Sequence, residues 1–390
     1  MTRRTGMRPL RIAMIGQKGL PARYGGVETH VENIAVRLVE RGHDVWAFCR
    51  TRFRPGSNGI PVPDGYVRDR SGERYRGVRL VYRPSVNTKH MDAASHALLC
   101  ALEAGALHRF DVVHLHGIGP AAFTPAAKLF GRRVVSTFHA LDWRQVKWGD
   151  RARTLLLKGE ARGALRSDGL IAVSRLMKDY ILSTYGVDAE CIPNGATVSP
   201  PRGKGTIGKW GLEGDDYILG VGRIIPDREY HILLEAFREL DTRLKLVIVG
   251  TETPRTAYSE ALEYMADDRV IFTGDLFGDE LEDLYANCRL YVLASRVEGL
   301  PITVCEAMAH ARPVLLSDIP ENVEVGGDAA VFFKCGDVNA LHALLYDLVE
   351  DRGRLEKMSG RGRSRAESIY NWDLVTDQIE SFYYRVLGEG

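Results

Sequence analysis

Two carboxylates, Glu298 and Glu306, stand eight residues apart across a turn in SRVEGLPITVCEAMAHARPVLLSD (295–318). The preceding run RLYVLAS reads as a short buried strand, Gly299, Leu300 and Pro301 turn the chain, and ITVCEAMAH has the small, apolar pattern of a helix packed on a sheet. Pro301 falls where a first-turn proline is tolerated. A helix opening just beyond a parallel strand points its free N–H groups and positive dipole end at whatever sits above the sheet, most naturally a phosphate. One acid before the turn and another in the helix can then accept hydrogen bonds from hydroxyls flanking that phosphate. A sugar nucleotide offers such hydroxyls. Taken singly, glutamates are more often solvated surface acids; the setting is what singles these two out.

Three other stretches carry matching chemistry. In GRIIPDREYHILLEAF (222–237), Arg223 and Arg228 can converge on a diphosphate, whose oxygens suit the guanidinium fork. In QKGLPARYGG (17–26), Gly25 and Gly26 let the backbone approach a ligand, and Glu28 lies in the first turn of the next helix. This loop lacks the GxGxxG spacing of a dinucleotide site. FHALDWRQVKWG places His139 at a strand end, followed by Asp142, Trp143, Arg144, Lys147 and Trp148. With Arg23, Tyr24, Lys89 and His90, the residues Trp143, Arg144 and Lys147 would make a basic, aromatic rim suited to a sugar stacked on Trp143 beside a diphosphate or carboxylate.

The elements that must position these groups repeat a simple pattern. Strand-like runs at 10–16, 43–49, 78–83, 111–117, 132–140 and 168–174 alternate with helix-compatible segments. A second set runs 217–223, 244–250, 269–274, 290–295 and 312–318. Such alternation predicts open, doubly wound α/β sheets whose ligands sit beyond the carboxyl ends of the strands, where His116, His139 and Ser174 fall. Residues 51–77 read as a polar loop. The Pro/Gly-rich stretch after Ile192 predicts a linker at 197–212, between an N-terminal domain of 1–196 and a C-terminal domain of 213–372. A final amphipathic helix covers 373–390.

With 52 Lys/Arg against 51 Asp/Glu the chain is nearly neutral, yet its first 200 residues hold 31 Lys/Arg against 17 Asp/Glu. That imbalance could turn the N-terminal part toward an anionic partner such as a lipid headgroup or a diphosphate acceptor. Nucleic acid is disfavoured, because the arginines lack interleaved aromatics. Six scattered cysteines without a CxxC pair read as buried thiols of a reducing cytoplasm. No apolar run reaches the ~18 residues of a membrane span. The expected location is cytoplasmic, with room for contact at the inner membrane face.

Together these motifs resemble the retaining glycosyltransferases of family four. The likeness covers nearly the whole chain, and EGLPITVCEAMAHARPVLLS, similar to that family's E-x7-E signature, is its most specific part. It implies the GT-B fold, two Rossmann-like domains facing each other across a cleft with the C-terminal helix crossing back to the first. It implies that Glu306 holds the nucleotide ribose, that Glu298, Gly299, Leu300 and Pro301 meet the donor, and that Arg223 and Arg228 bind its diphosphate. By the same likeness Gly25 and Gly26 approach the donor phosphate and sugar, and His139 lies against the sugar. The family usually has lysine where Arg228 stands, and glycine or asparagine within the following EY. IGQKGLPARYGGVETHVENIA and HALDWRQVKWG resemble a narrower bacterial group of rhamnosyltransferases for surface polysaccharides.

The expected reaction moves a sugar from a nucleoside diphosphate donor, such as dTDP-rhamnose, to a saccharide or lipid-linked saccharide. Alternatives are a UDP- or GDP-sugar donor with a small acceptor, or a sugar-nucleotide epimerase on the same fold. Two arginines and a helix dipole can replace a cation. No DxD-type cage is evident, so neither metal nor cofactor is expected.

Overall fold

A computed structural model of the protein describes residues 7–389, apart from 24, 58, 89–90, 146–148, 201 and 253–254. The chain forms two compact units, Met1–Pro193 with Trp372–Gly390, and Asn194–Asn371.

The strands of unit 1 are β1 (Arg11–Ile15), β2 (Asp44–Arg50), β3 (Tyr66–Asp69), β4 (Gly72–Tyr75), β5 (Val78–Arg83), β6 (Val112–His116), β7 (Arg133–Phe138), β8 (Gly169–Ala172) and β9 (Glu190–Cys191). They form one sheet in the order β3-β4-β5-β2-β1-β6-β7-β8-β9. All pairs are parallel except the β3–β4–β5 edge. The helices are α1 (Gly26–Glu40), α2 (Asp92–Ala106), α3 (Ile118–Ala121), α4 (Thr124–Lys128), α5 (Asp150–Arg166) and α6 (Arg175–Tyr185). Right-handed crossovers place α1 on one face and α2 to α6 on the other. Near-continuous apolar strands such as β1 and β6 follow from this, since both of their faces are covered.

Unit 2 holds a six-stranded, all-parallel sheet in the order β12-β11-β10-β13-β14-β15. Its strands are β10 (Tyr217–Val221), β11 (Lys245–Val249), β12 (Val270–Gly274), β13 (Leu290–Leu293), β14 (Val314–Ser317) and β15 (Ala330–Phe333). Its helices are α7 (Tyr230–Arg238), α8 (Ala257–Met265), α9 (Asp279–Asn287), α10 (Ile302–Ala309), α11 (Pro320–Gly326), α12 (Val338–Glu350) and α13 (Arg352–Ser368). The last helix, α14 (Trp372–Leu387), belongs to unit 1 and packs on α1.

Each sheet has a point where strand order reverses, between β1 and β6 and between β10 and β13. Ligands of open α/β sheets bind beyond the carboxyl ends of the strands at such points.

Two stretches differ from the sequence reading. Within 51–77, read as a loop, β3 and β4 form an antiparallel hairpin that extends the sheet beyond β5. Gly65, Arg76 and Gly77, all at positive φ, turn the chain there, and turn residues so dense hide strands only four residues long. The stretch 197–212, read as a linker, is fastened to unit 2. Arg202 reaches Asp279, Glu282 and Asp283 of α9 at 2.7–2.9 Å, and Ile207 is fully buried.

Candidate active site

The reversal point of unit 2 collects seven of the expected residues, after β10 and after β13. After β10 the chain passes Gly222 (φ +148°), exposed Arg223 and a 3-10 turn, Pro226–Arg228. A Cβ on Gly222 would stand 3.4 Å from the Arg228 guanidinium carbon, an ordinary contact that puts this side chain over the strand end, and it is the positive φ that favours glycine here. After the neighbouring β13 comes Glu298, whose Oε1 lies 2.6 Å from Arg228 Nη1, with both side chains largely buried. Arg228 Nη1 also reaches Ser295 Oγ at 3.4 Å. Burial works against the Arg228 charge, but the Glu298 carboxylate beside it raises the guanidinium above its ordinary value.

Gly299, Leu300 and Pro301 are buried in the turn, and Asn194 Nδ2 donates to the Leu300 carbonyl at 2.8 Å. Helix α10 opens at Ile302, with Pro301 at the cap position, one residue earlier than the sequence reading placed it. Glu306 sits in the second turn of α10, where it accepts a hydrogen bond from Tyr285 OH at 2.9 Å. Burial lifts its carboxyl to about 7 against an ordinary 4.5, with Tyr285 opposing the rise. Such a carboxylate gains from hydroxyl donors brought by a ligand.

Sequence reasoning missed three partners here. Tyr285 comes from α9 and carries no local signal. Ser295 reads as the end of a strand. Glu229, part of the unusual EY, holds a left-handed backbone (φ +49°) and a fully buried carboxylate, which Arg296 Nε meets at 2.7 Å.

At the reversal point of unit 1, the loop from Gly16 to Gly25 runs between β1 and α1. It is held by α1 itself: Lys18 N donates to Glu28 Oε1 at 2.8 Å, and Ala22 N donates to Glu32. Gly25 caps the helix at φ +149° and Gly26 opens it. A Cβ on Gly16 would meet the His116 carbonyl at 2.4 Å, so this loop and the end of β6 touch only because glycine is there.

Beside the loop, His116 Nδ1 and His139 Nε2 are 3.3 Å apart, and the His30 ring of α1 meets His139 edge-on at 4.7 Å. Burial, then the neighbouring imidazoles, hold His116 and His139 neutral, well below the usual imidazole range. His30, His116 and His139 bring ring nitrogens within 4.8 Å of one another, and neutral imidazoles so spaced could hold a metal ion. His30 escaped the sequence reading although it lies on the helix stripe of Val27, Val31 and Ile34.

The expected acceptor rim is described in part. Trp143 is half-buried, and its indole N–H donates to Glu160 Oε2 at 2.9 Å, while Tyr180 and Tyr185 donate to Oε1 of the same fully buried carboxylate. The guanidinium of Arg144, itself exposed, stacks over the Trp143 ring at 5.7 Å. Arg23 is half-buried. Tyr24, Lys89, His90 and Lys147 lie outside the described residues. Ser174 serves as the cap of α6, accepting from Met177 N at 3.1 Å. No helix among the described residues is long and apolar enough to cross a membrane.

Both units match known proteins. The model of Glycosyltransferase Family 4 matches residues 24–199, and that of Glycosyl transferases group 1 matches residues 206–365. A phosphatidyl-myo-inositol mannosyltransferase of Mycolicibacterium smegmatis is 27% identical, over 94% of this chain and 92% of its own. Sucrose-phosphate synthase of Thermosynechococcus elongatus superposes with a TM-score of 0.80 at 19% identity, covering 98% of this chain and 100% of the other. HepE of Anabaena, solved with UDP and glucose, superposes with a TM-score of 0.72 at 16% identity, over 95% and 98% of the two chains. With two Rossmann-like units built as in these structures, and with the two family models matched in succession along most of the sequence, the chain belongs to the group 1 glycosyltransferases of the GT-B fold.

Proposed function

We propose that this glycosyltransferase moves a hexosyl unit from a nucleoside diphosphate sugar to a saccharide or lipid-linked saccharide, with retention at the anomeric carbon and without a metal ion. The observation that carries the reading is the buried Arg228–Glu298 pair at the β10/β13 reversal point, with Glu306 eight residues beyond in α10. Glu306 would accept from the ribose hydroxyls, and Glu298 from a hydroxyl of the transferred sugar. Arg223, Arg228 and the backbone N–H groups of Gly299 and Leu300 would hold the diphosphate, with Pro301 shaping the turn.

The bond from the anomeric carbon to the diphosphate oxygen breaks, and the bond to the acceptor oxygen forms on the same face. The acceptor proton passes to the departing phosphate oxygen. Negative charge grows on that oxygen in the transition state, where fixed guanidinium groups stabilise it most. In unit 1, Gly25, Gly26 and His139 would serve the transferred sugar. His139, held neutral by burial, can accept or donate one hydrogen bond without carrying charge.

The donor sugar is the finer point. One relative is named for mannose and one structure holds UDP and glucose, while the sequence resemblance favours dTDP-rhamnose. Thermal shift against UDP-, GDP- and dTDP-sugars should single out one base, since a donor that binds the native state alone raises its stability. Product analysis with and without acceptor then separates transfer from epimerisation. Transfer should survive treatment with EDTA. Unchanged donor turnover in both Glu306→Gln and Arg223→Ala would overturn the site.

A further inference from the structure

Unit 1 presents a broad apolar and basic face on the side of its sheet covered by α2, α4 and α5. Leu98, Leu99 and Leu102 of α2 are exposed, and Leu107 just beyond its end is 74% exposed. Leu129 and Phe130, after α4, are 71% and 49% exposed. Phe130 lies against the last turn of α2, since a Cβ on Gly105 would meet its ring at 2.8 Å. Helix α4 packs against both α2 and α5, which makes the three outer faces neighbours.

Along α5 after its first residue, Asp150, the exposed positions are Arg151, Thr154, Leu155, Leu157, Lys158, Arg162, Leu165 and Arg166. Apart from Leu157 their spacing is that of one helical stripe, in which leucines alternate with cations. Its opposite side is pinned to the protein by glycines. A Cβ on Gly159 would meet Ala122 at 3.0 Å, and one on Gly163 would meet Ala121 at 2.6 Å. Acids are sparse on the outer face: Glu103 and Glu160 are buried, and among the described residues of α2, α4 and α5 the one exposed carboxylate is Asp150, at the start of α5.

Soluble proteins seldom leave so many large apolar side chains together in water. A second copy of the chain would bring the same cations against one another. An anionic lipid surface satisfies both features at once, taking leucine and phenylalanine side chains at the headgroup boundary while its phosphates face Lys158, Arg162 and Arg166. We infer that this face docks the protein on an anionic membrane, peripherally and reversibly. The docking is independent of the transfer site, because none of these residues belongs to it.

Flotation of the full chain with vesicles tests the inference. Vesicles of phosphatidylcholine, and the same with a third of the lipid replaced by phosphatidylglycerol, are compared at low and at high salt. The expected result is capture by the anionic vesicles, at least tenfold weaker on phosphatidylcholine alone and weakened by salt. Each cation at an anionic surface contributes roughly fivefold, so Lys158→Glu, Arg162→Glu and Arg166→Glu together should abolish capture. Leu99→Ser, Leu102→Ser and Leu155→Ser together should reduce it more than tenfold even at low salt, with circular-dichroism melts showing a folded protein. Tyr264→Ser, at a 94% exposed site in unit 2, should change nothing. No capture by anionic vesicles, equal capture by neutral ones, or equal loss with Tyr264→Ser would overturn it. So would concentration-dependent self-association, without lipid, that the leucine variants remove.

Discussion

Arg228 Nη1 lies 2.6 Å from Glu298 Oε1, and the two groups neutralise each other in a largely dry setting before any donor arrives. Removing one partner of such a pair leaves the other charge buried and uncompensated, whereas removing both does not. Arg228→Ala should therefore destabilise the protein by about 2–4 kcal/mol and lower turnover roughly 10²–10³-fold. Arg228→Lys should keep most of the stability, with weaker donor binding from the lost fork. The double variant Arg228→Ala/Glu298→Ala should regain part of the stability and none of the activity. Denaturant melts and steady-state kinetics on the four proteins check this. A double variant no more stable than Arg228→Ala would show the pair to be uncoupled.

Glu306 gives a pH signature. Burial raises its carboxyl to about 7 in the folded protein from an ordinary 4.5. A carboxyl raised on folding holds its proton in the native state between those values, so its contribution to stability is present below about 4.5 and lost as pH rises through about 7. Glu306→Gln, which never ionises, should leave stability near pH 4.5 almost unchanged and raise it at pH 8 by roughly 1–3 kcal/mol. The same variant should bind nucleotide sugar more weakly. In the proposed role, ribose hydroxyls would favour the ionised carboxylate, so donor binding near pH 6 should release up to one proton. Calorimetry in buffers of different ionisation enthalpy measures it. Uptake of a proton instead would refute this role for Glu306.

Much of this was legible in the sequence because it is local. Strand–turn–helix periodicity located β13 and α10, and with them Glu298, Gly299, Leu300, Pro301 and Glu306. The arginines stood out through glycine and proline punctuation after β10. What escaped depends on long-range packing. Tyr285 reaches Glu306 across 21 residues from a helix whose acidic first turn reads as solvated surface. Trp143 looked like a stacking platform by type and position, yet its N–H is committed to Glu160, 17 residues on. The 197–212 stretch has a linker's composition, and the three-way grip of Arg202 on α9, with the burial of Ile207, shows that it is part of unit 2.

Glu229 occupies a left-handed position that glycine or asparagine fills at little cost, and it stays there with a buried carboxylate. Arg296 is what offsets that burial. Arg296→Ala should cost about 1–3 kcal/mol, as an unpaired buried acid remains. Glu229→Asn in the Arg296→Ala background should restore most of it, because asparagine tolerates the conformation and carries no charge. Since the turn carries Arg228, the single variant should also weaken donor binding and the rescue should recover it. Equal melting of wild type and Arg296→Ala would show that the pair does not hold the turn.

Helix α14 closes the core of unit 1. Trp372, Ile379 and Tyr383 are almost wholly buried, Arg37 and Arg41 pair with Asp373 and Glu380 at 2.8–2.9 Å, and Tyr383 OH meets His114 Nδ1 at 2.6 Å. The His114 ring lies 4.0 Å from that of His116, which in turn meets His139. Tyr383→Phe keeps the packing and leaves one buried imidazole nitrogen without its hydroxyl, a loss of about 1–2 kcal/mol. For units of this size that lowers the melting midpoint by roughly 2–8 °C. If the stacked imidazoles fix the orientation of His139, kcat should fall with KM for the donor nearly unchanged, since the residues proposed to hold the nucleotide are in unit 2. Deleting 372–390 should go further and abolish cooperative unfolding of unit 1. A truncated protein that still melts cooperatively with native near-ultraviolet dichroism would show that the helix is an appendage.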